Sequence, residues 1–296
     1  MFIKNEELGK EIKRLRVANK MSQFELAKGI CCQTTISGIE KGRTLPSVDI
    51  LFYLSKRLNV TTDYLLTSTL HRTEHYVLST EELINNYLKT ASYPEILEIT
   101  TLEREWRKKR NLGEEFNQFI DWHFYRSSYA TGNIGWQLCV DKLTLLINDK
   151  SILKQPFQDL KIKNAIANIL SENGLFNDAL NIYKELLSHN LGMESYQRFK
   201  LKIYFNLAKM HFFEMNYNES LVVAKKGIVE SLRLEDISVL GQLYTQSAQS
   251  IKQLEGYNGL VKDYLDKAKV IFILLKREAY VEFVDSLQKD LEKERN

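Results

Sequence analysis

Apolar residues recur along this chain at spacings of three and four almost from end to end, and no stretch of note alternates in the manner of a strand, so an all-α fold is expected. Leu8, Ile12 and Leu15 make one stripe within Glu7 to Ala18. Ile50, Leu51, Leu54 and Leu58 make another within Ser47 to Leu58, and Thr62 to Leu66 closes the group. Between them lie two shorter patterns. Ser22 and Glu25 have the spacing of a capping box, which predicts a helix start followed by the inward-facing Leu26 and Ala27. Gly29 stands where the chain must turn sharply, with Ile30 anchoring the turn, and a further helix is predicted to open near Cys32.

In that further helix Ile36 and Ile39 sit three apart and face the core, which leaves Gln33, Thr34, Thr35 and Ser37 on the outer or leading face. Short hydroxyl and amide side chains at the start of a helix can meet base edges in a DNA groove, and a glutamine suits a bidentate pair with adenine. An isolated helical hairpin with a solvated polar face would look the same. The flanking helices make the difference, because they complete a compact five-helix unit. From about Leu8 to Leu66 the segments LGKEIKRLR, SQFELA, TISGIEKGRTLPSVDILFYLSKRLNV and DYLL resemble the Xre/phage-repressor helix-turn-helix family. The resemblance implies phosphate contacts from Gln23, Arg43 and Thr44, with Gln33, Thr34, Thr35 and Ser37 reading bases. Gly38 replaces the larger side chain of many relatives, so the base sequence cannot be copied from any of them.

Charge follows the same division. Residues 1–66 hold eleven Lys and Arg against seven Asp and Glu, while the rest of the chain holds thirty against thirty-one. The net +3 thus sits in the first segment, where sequence-independent attraction to phosphates would arise. One small domain has limited affinity, so a homodimer on palindromic double-stranded DNA is expected, with half-sites about 34 Å apart or a multiple of that. No apolar run approaches the roughly 20 residues that cross a bilayer, and a signal-peptide pattern is missing; the expected location is the cytoplasm.

Candidate chemistry is sparse. Three cysteines make no disulfide framework, and the neighbours Cys31 and Cys32 read first as packing around the turn and second as a thiol sensor. Of five histidines only His71 and His75 share helical spacing, with Glu74 between them, and no metal or cofactor is expected. GxSxG, P-loop and Rossmann fingerprints are missing, so the chain is not read as an enzyme.

Residues 67–78, without Gly or Pro, read as a partly helical linker, and residues 79–296 as a repeat domain. In AIANILSENGLFNDALNIYKELL the residues Ala167, Gly174, Phe176, Ala179 and Tyr183 have the offsets of two closely packed antiparallel helices; Ala208, Tyr217, Ser220 and Ala224 repeat them, and a third unit runs through Ala248 and Tyr257 towards Ala268. The residue after each inter-helix turn gives Tyr93, Ile134, Phe176, Tyr217 and Tyr257, about 41 residues apart, so about five hairpins are predicted. This pattern resembles tetratricopeptide repeats, which implies a right-handed superhelix with a concave groove. The register puts Lys161, Asn164 and Asn168 on the groove side, then Lys202, Phe205 and Lys209, then Gln242, Thr245 and Gln249. Amides there can pair with the backbone of an extended peptide and lysines with its carboxylates.

Taken whole, LGKEIKRLRV, PSVDIL, EEFNQFIDW, KNAIANILSENG, NLAK, GQLYTQ and AYVE resemble the peptide-responsive quorum-sensing regulators of Gram-positive bacteria, most closely the PlcR type. That resemblance implies a dimeric activator that binds a short re-imported signalling peptide in the repeat groove. It carries peptide contacts onto Lys89, Asn164, Asn206, Gln242 and Tyr280, with Asn168 and Gln246 counted among the candidates. A lysine expected two residues past Lys89 is Ala91 here. Two other readings stay open: a repeat scaffold that binds a protein partner, and a thiol-responsive regulator using Cys31 and Cys32.

Overall fold

A computed structural model describes residues 5–67, 72–107, 112–147, 157–189 and 192–295, and within them the chain forms sixteen α-helices and no strand. It divides into two compact units, one of residues 1–92 with 107–116, the other of 93–106 with 117–296.

The first unit opens with α1 (Asn5–Ala18), α2 (Gln23–Ala27), α3 (Gln33–Glu40), α4 (Val48–Arg57) and α5 (Thr62–Thr67). Their inward faces share one core built on Leu8, Ile12, Leu26, Ile36, Ile39, Leu54 and Leu65. The predicted stripes are therefore the buried ones, except that Ile50 is only half-buried at the margin. α1 and α3 cross so closely at Gly9 that a Cβ there would lie 2.1 Å from the Ile39 carbonyl oxygen. α6 (Arg72–Lys89) runs without a break from the expected linker across residue 78, and it groups with this first unit. Residues 68–71, including His71, lie outside the described residues.

The second unit contains α7 (Tyr93–Trp106), then the pairs α8 (Glu114–Ala130, from residue 117 onward) and α9 (Trp136–Leu146), α10 (Phe157–Glu172) and α11 (Phe176–Ser188), α12 (Glu194–Phe213) and α13 (Tyr217–Arg233), and α14 (Leu240–Glu255) and α15 (Gly259–Leu274), closed by α16 (Glu278–Arg295). Within the last three pairs the partners pack along their length, and each pair also packs on the next, α11 on α12 and α13 on α14. Small residues stand at the crossings: Ala167, Ala179, Ala208, Ser220, Ala224, Ala248 and Ala268 are all buried. Gly227 and Gly241 extend the list, since a Cβ would meet the Leu243 side chain at 2.8 Å or the Phe272 ring at 2.7 Å. Left-handed residues recur in the turns at Ala91, Gly132, Gly174, Met215 and Gly256, the same repeat of about 41 that the sequence shows.

Candidate functional site

The polar face of the first unit is set by α2 and α3. Ser22 Oγ accepts from the Glu25 amide at 3.1 Å while the Ser22 amide donates to Glu25 Oε2 at 2.6 Å, the reciprocal capping box, and these bonds hold the Glu25 carboxyl below its usual range. The turn after α2 uses Gly29 at φ +75, as expected. A contact that sequence reasoning missed closes the same helix: Arg57 of α4 donates to the carbonyls of Leu26 at 3.0 Å and Glu25 at 3.3 Å, and to that of Lys28. The signal that could have found it is a long cation at the last residue of α4, but nothing local says which carbonyl it seeks.

Cys32 caps α3 with extended backbone, and Ile36 and Ile39 are fully buried. Gln33 and Thr34 are exposed, and Thr35 and Ser37 are half-buried. The Cys32 sulfur lies 2.9 Å from Thr34 Oγ1 and 3.0 Å from Thr35 Oγ1, and these bonds lower the exposed thiol to about 7. Cys31 behaves oppositely, because partial burial pushes its thiol up. Arg43 and Thr44 are exposed in the turn after α3, and the Thr44 hydroxyl fills the space beside Gly38, 3.1 Å from where a Cβ would stand. Gln23 is differently placed. Its amide nitrogen donates to Glu40 Oε2 at 2.7 Å, and that buried carboxylate also takes Arg16 Nε at 2.6 Å.

In the second unit Phe205, Lys209, Gln242, Thr245, Gln246, Gln249 and Tyr280 of the predicted set line one cleft of about 280 Å³ between α12, α14 and α16, whereas Lys161, Asn164, Asn168, Lys202 and Asn206 do not line it. Six aromatic rings line it: Phe205, Phe212, Phe213, Phe272, Tyr280 and Phe283. The remaining lining comes from Lys209 and from Gln242, Thr245, Gln246 and Gln249, without a carboxylate. Phe272 and Tyr280 stack at 5.0 Å between ring centres, which ties α15 to α16. A smaller hollow of about 50 Å³ adjoins it through Lys209 and Phe213 and includes Asn168, Glu172 and Asn206.

The amides differ in what they have left to give. Asn206 Nδ2 donates to Asn164 Oδ1 at 3.2 Å, which leaves Asn164 a donor and Asn206 an acceptor, the complement of one peptide unit. Asn168 Oδ1 accepts from the buried Tyr183 hydroxyl at 2.6 Å, which braces its own hairpin, and Gln246 Nε2 donates to Ser220 Oγ at 3.3 Å, which ties its hairpin to the one before. Oriented to satisfy both ends, the Gln242 amide donates to the Val239 carbonyl at 3.3 Å and accepts from Arg277 Nη1 at 2.9 Å. Lys89 lies on α6 in the first unit and donates to Asn86 Oδ1 at 2.8 Å. Among the described residues no group of His, Cys, Asp or Glu could hold a metal ion, and no helix is long and apolar enough to cross a membrane.

A helix-turn-helix unit with an outward polar second helix, followed in the same chain by stacked hairpins around an aromatic, amide-lined cleft, defines a two-part class: a DNA-reading fold joined to a ligand-groove repeat domain. Residues 81–290 match the RNPP family C-terminal domain, and residues 12–65 match the helix-turn-helix family. The chain belongs to the RNPP family. It is similar to Bacillus thuringiensis PlcR, whose crystal structure with the peptide PapR7 and DNA shares 29% identity and a TM-score of 0.78 over 94% of this chain and 99% of that one. The apo form of the same PlcR gives 28% identity and a TM-score of 0.64, over 95% and 98%. ComR from S. thermophilus, solved with DNA and its signalling peptide ComS, gives 19% and 0.61 over 96% and 99%, a likeness of fold. Comparison with curated proteins returned no match.

Proposed function

We propose that this protein is a dimeric, cytoplasmic transcription activator whose first unit reads a palindromic DNA site and whose second unit binds a short signalling peptide that governs that reading. The observation that carries it is the cleft: six rings, a row of amides and no carboxylate, in a chain similar to a PlcR solved with peptide and DNA. Gln33, Thr34, Thr35 and Ser37 supply base contacts, Arg43 and Thr44 phosphate contacts. Gln23 reaches a phosphate only by turning its amide away from Glu40 or through its main chain. Asn164, Asn206, Gln242 and Tyr280 hold the peptide, with Asn168 and Gln246 as further contacts. Peptide shifts the balance between DNA-competent and incompetent states only by binding the competent one more tightly.

Calorimetry of the full-length protein against synthetic peptides from the small open reading frame nearest the gene tests this reading. A saturable, stoichiometric heat that Asn164→Ala weakens about tenfold, through loss of roughly one buried hydrogen bond worth about 1.4 kcal/mol, is the expected result. Titrations with the same midpoint in both proteins would remove Asn164 from the site. A second reading rests on Cys32, an exposed thiol with a pKa of about 7 at the start of α3. Oxidation there would disturb Thr34 and Thr35, and DNA affinity untouched by peroxide would end that reading.

A further inference from the structure

α2 has five residues, too few to hold a helix by themselves, and its end is closed from another helix. Its last carbonyls are answered from two sources. That of Phe24 takes the Lys28 amide at 3.0 Å, and that of Ala27 takes the amides of Ile30 at 2.9 Å and Cys31 at 3.0 Å. No backbone amide of the turn reaches the carbonyls of Glu25, Leu26 or Lys28. All three are taken instead by Nη1 of Arg57, at the last residue of α4, which sets a cation at the C-terminal end of α2.

Little else fixes the turn that follows. Gly29 holds φ +75, and a Cβ built there would meet nothing within 4 Å, so that side of the turn is open. Ile30 and Cys31 pack against the core while only partly buried, and Cys32 gives the first turn of α3 no side-chain cap. α3 is pinned further on, through the fully buried Ile36 and Ile39. Its leading residues Gln33 and Thr34 therefore point where residues 28–32 direct them, and Arg57 holds the near end of that path. Resting on the reading of α3 given above, we propose that Arg57 is a positioning residue for DNA recognition. It sets the α2–α3 turn, and with it the direction in which Gln33 and Thr34 meet base edges, while its own Nη1 stays on the three carbonyls. A cation that met a phosphate would add the same affinity to every sequence, and a brace of the fold alone would scale all binding together. A positioning residue changes the ratio between sequences.

The test uses full-length protein and a library of random-sequence duplexes. One duplex enriched by the wild type and a shuffled duplex of the same composition are titrated by fluorescence anisotropy at several salt concentrations. Arg57→Met, a long side chain without donors, should weaken binding to the enriched duplex about tenfold, the order of one lost base contact, and leave the shuffled duplex and both salt slopes as in wild type. Arg57→Lys should fall between the two, because an ammonium reaches a carbonyl without the fixed direction of a guanidinium. Circular dichroism melts within a few degrees of wild type establish that each variant is folded; should Arg57→Met melt earlier, the ratio is read from Arg57→Lys. A ratio unchanged in both variants would overturn the positioning role. Equal weakening of both duplexes would overturn it too, a salt slope shallower by about one marking a phosphate contact and an unchanged slope a brace of the fold. Failure of the wild type to enrich any sequence would overturn the base reading of α3 and this role with it.

Discussion

Replacing His123 with phenylalanine should remove about 2 kcal/mol of the stability that the second unit loses between pH 7.5 and pH 5. His123 on α8 is 3% exposed, its ring stacked 4.2 Å from Trp122 and edge-on to Phe119 at 4.4 Å, and neither ring nitrogen has a hydrogen-bond partner among the described residues. Burial, reinforced by the nearby Lys161 ammonium, lowers its pKa from 6.5 to about 3. The folded protein therefore keeps this imidazole neutral where the unfolded chain would protonate it. The sign follows: the stability is fully present above 6.5 and is lost as pH falls towards 3, because only the unfolded state takes up the proton. In that window the loss is about 1.4 kcal/mol per pH unit, which integrates to about 2 kcal/mol at pH 5. The figure barely depends on the folded value, since at pH 5 a folded pKa of about 3 or about 4 leaves the native imidazole equally neutral.

Urea unfolding at pH 7.5 and pH 5.0, followed by tryptophan fluorescence, measures this. Trp106, Trp122 and Trp136 all belong to the second unit, so the signal reports on it. Other histidines and carboxylates also titrate, but they do so in both proteins and cancel in the difference between wild type and His123→Phe. Wild type should lose about 2 kcal/mol more than the variant between the two pH values. Equal losses would refute the reasoning and mean that the ring finds a water or a polar partner in solution.

Gly9→Ala should cost the first unit about 3 kcal/mol, because α1 and α3 must separate to admit the methyl group; amide exchange in both helices as slow as in wild type would contradict this. Met215→Gly should stabilise the second unit by about 0.5–1 kcal/mol in urea melts, since Met215 holds φ +61 with a side chain 75% exposed; a loss would mean that the side chain packs in solution. Gln33→Ala should abolish the preference for a palindromic site and keep weaker, salt-sensitive binding in anisotropy titrations; unchanged selectivity would remove Gln33 from base reading.

The repeat was readable because it is written twice. Aromatic or aliphatic residues stand at the start of the second helices or two residues before it, and the left-handed turn residues just ahead of them mark the same register. Glycine alone would have found Gly132, Gly174 and Gly256 and missed Ala91 and Met215, which adopt the same backbone without its freedom. Ala91 is also where the resemblance leads one to expect a lysine, so a turn residue stands in place of a cation. The five-helix unit was readable for a different reason: its stripes, capping box and turn glycine are all local. Its Arg57 and Glu40 contacts span seventeen to thirty-two residues, and periodicity carries no information about partners at that range.

Periodicity gives the face of a helix, and the site depends on what each side chain on that face has left unspent. Asn164, Asn168, Asn206, Gln242 and Gln246 were equivalent as letters. In the structure Asn168 and Gln246 are half-committed to Tyr183 and Ser220, Gln242 holds Arg277, and Asn164 with Asn206 keeps one donor and one acceptor open. α12 links these sets, since Asn206 faces α10 while Phe205 and Lys209 line the cleft with α14 and α16. Moving a two-state equilibrium from one side to the other takes about 5.5 kcal/mol of differential affinity. One buried apolar side chain supplies about 1.5–3 kcal/mol and one hydrogen bond about 1, so neither the cleft nor the asparagine pair reaches that alone. A ligand that spans both sides of α12 therefore comes nearer to that figure than one that fills only the cleft.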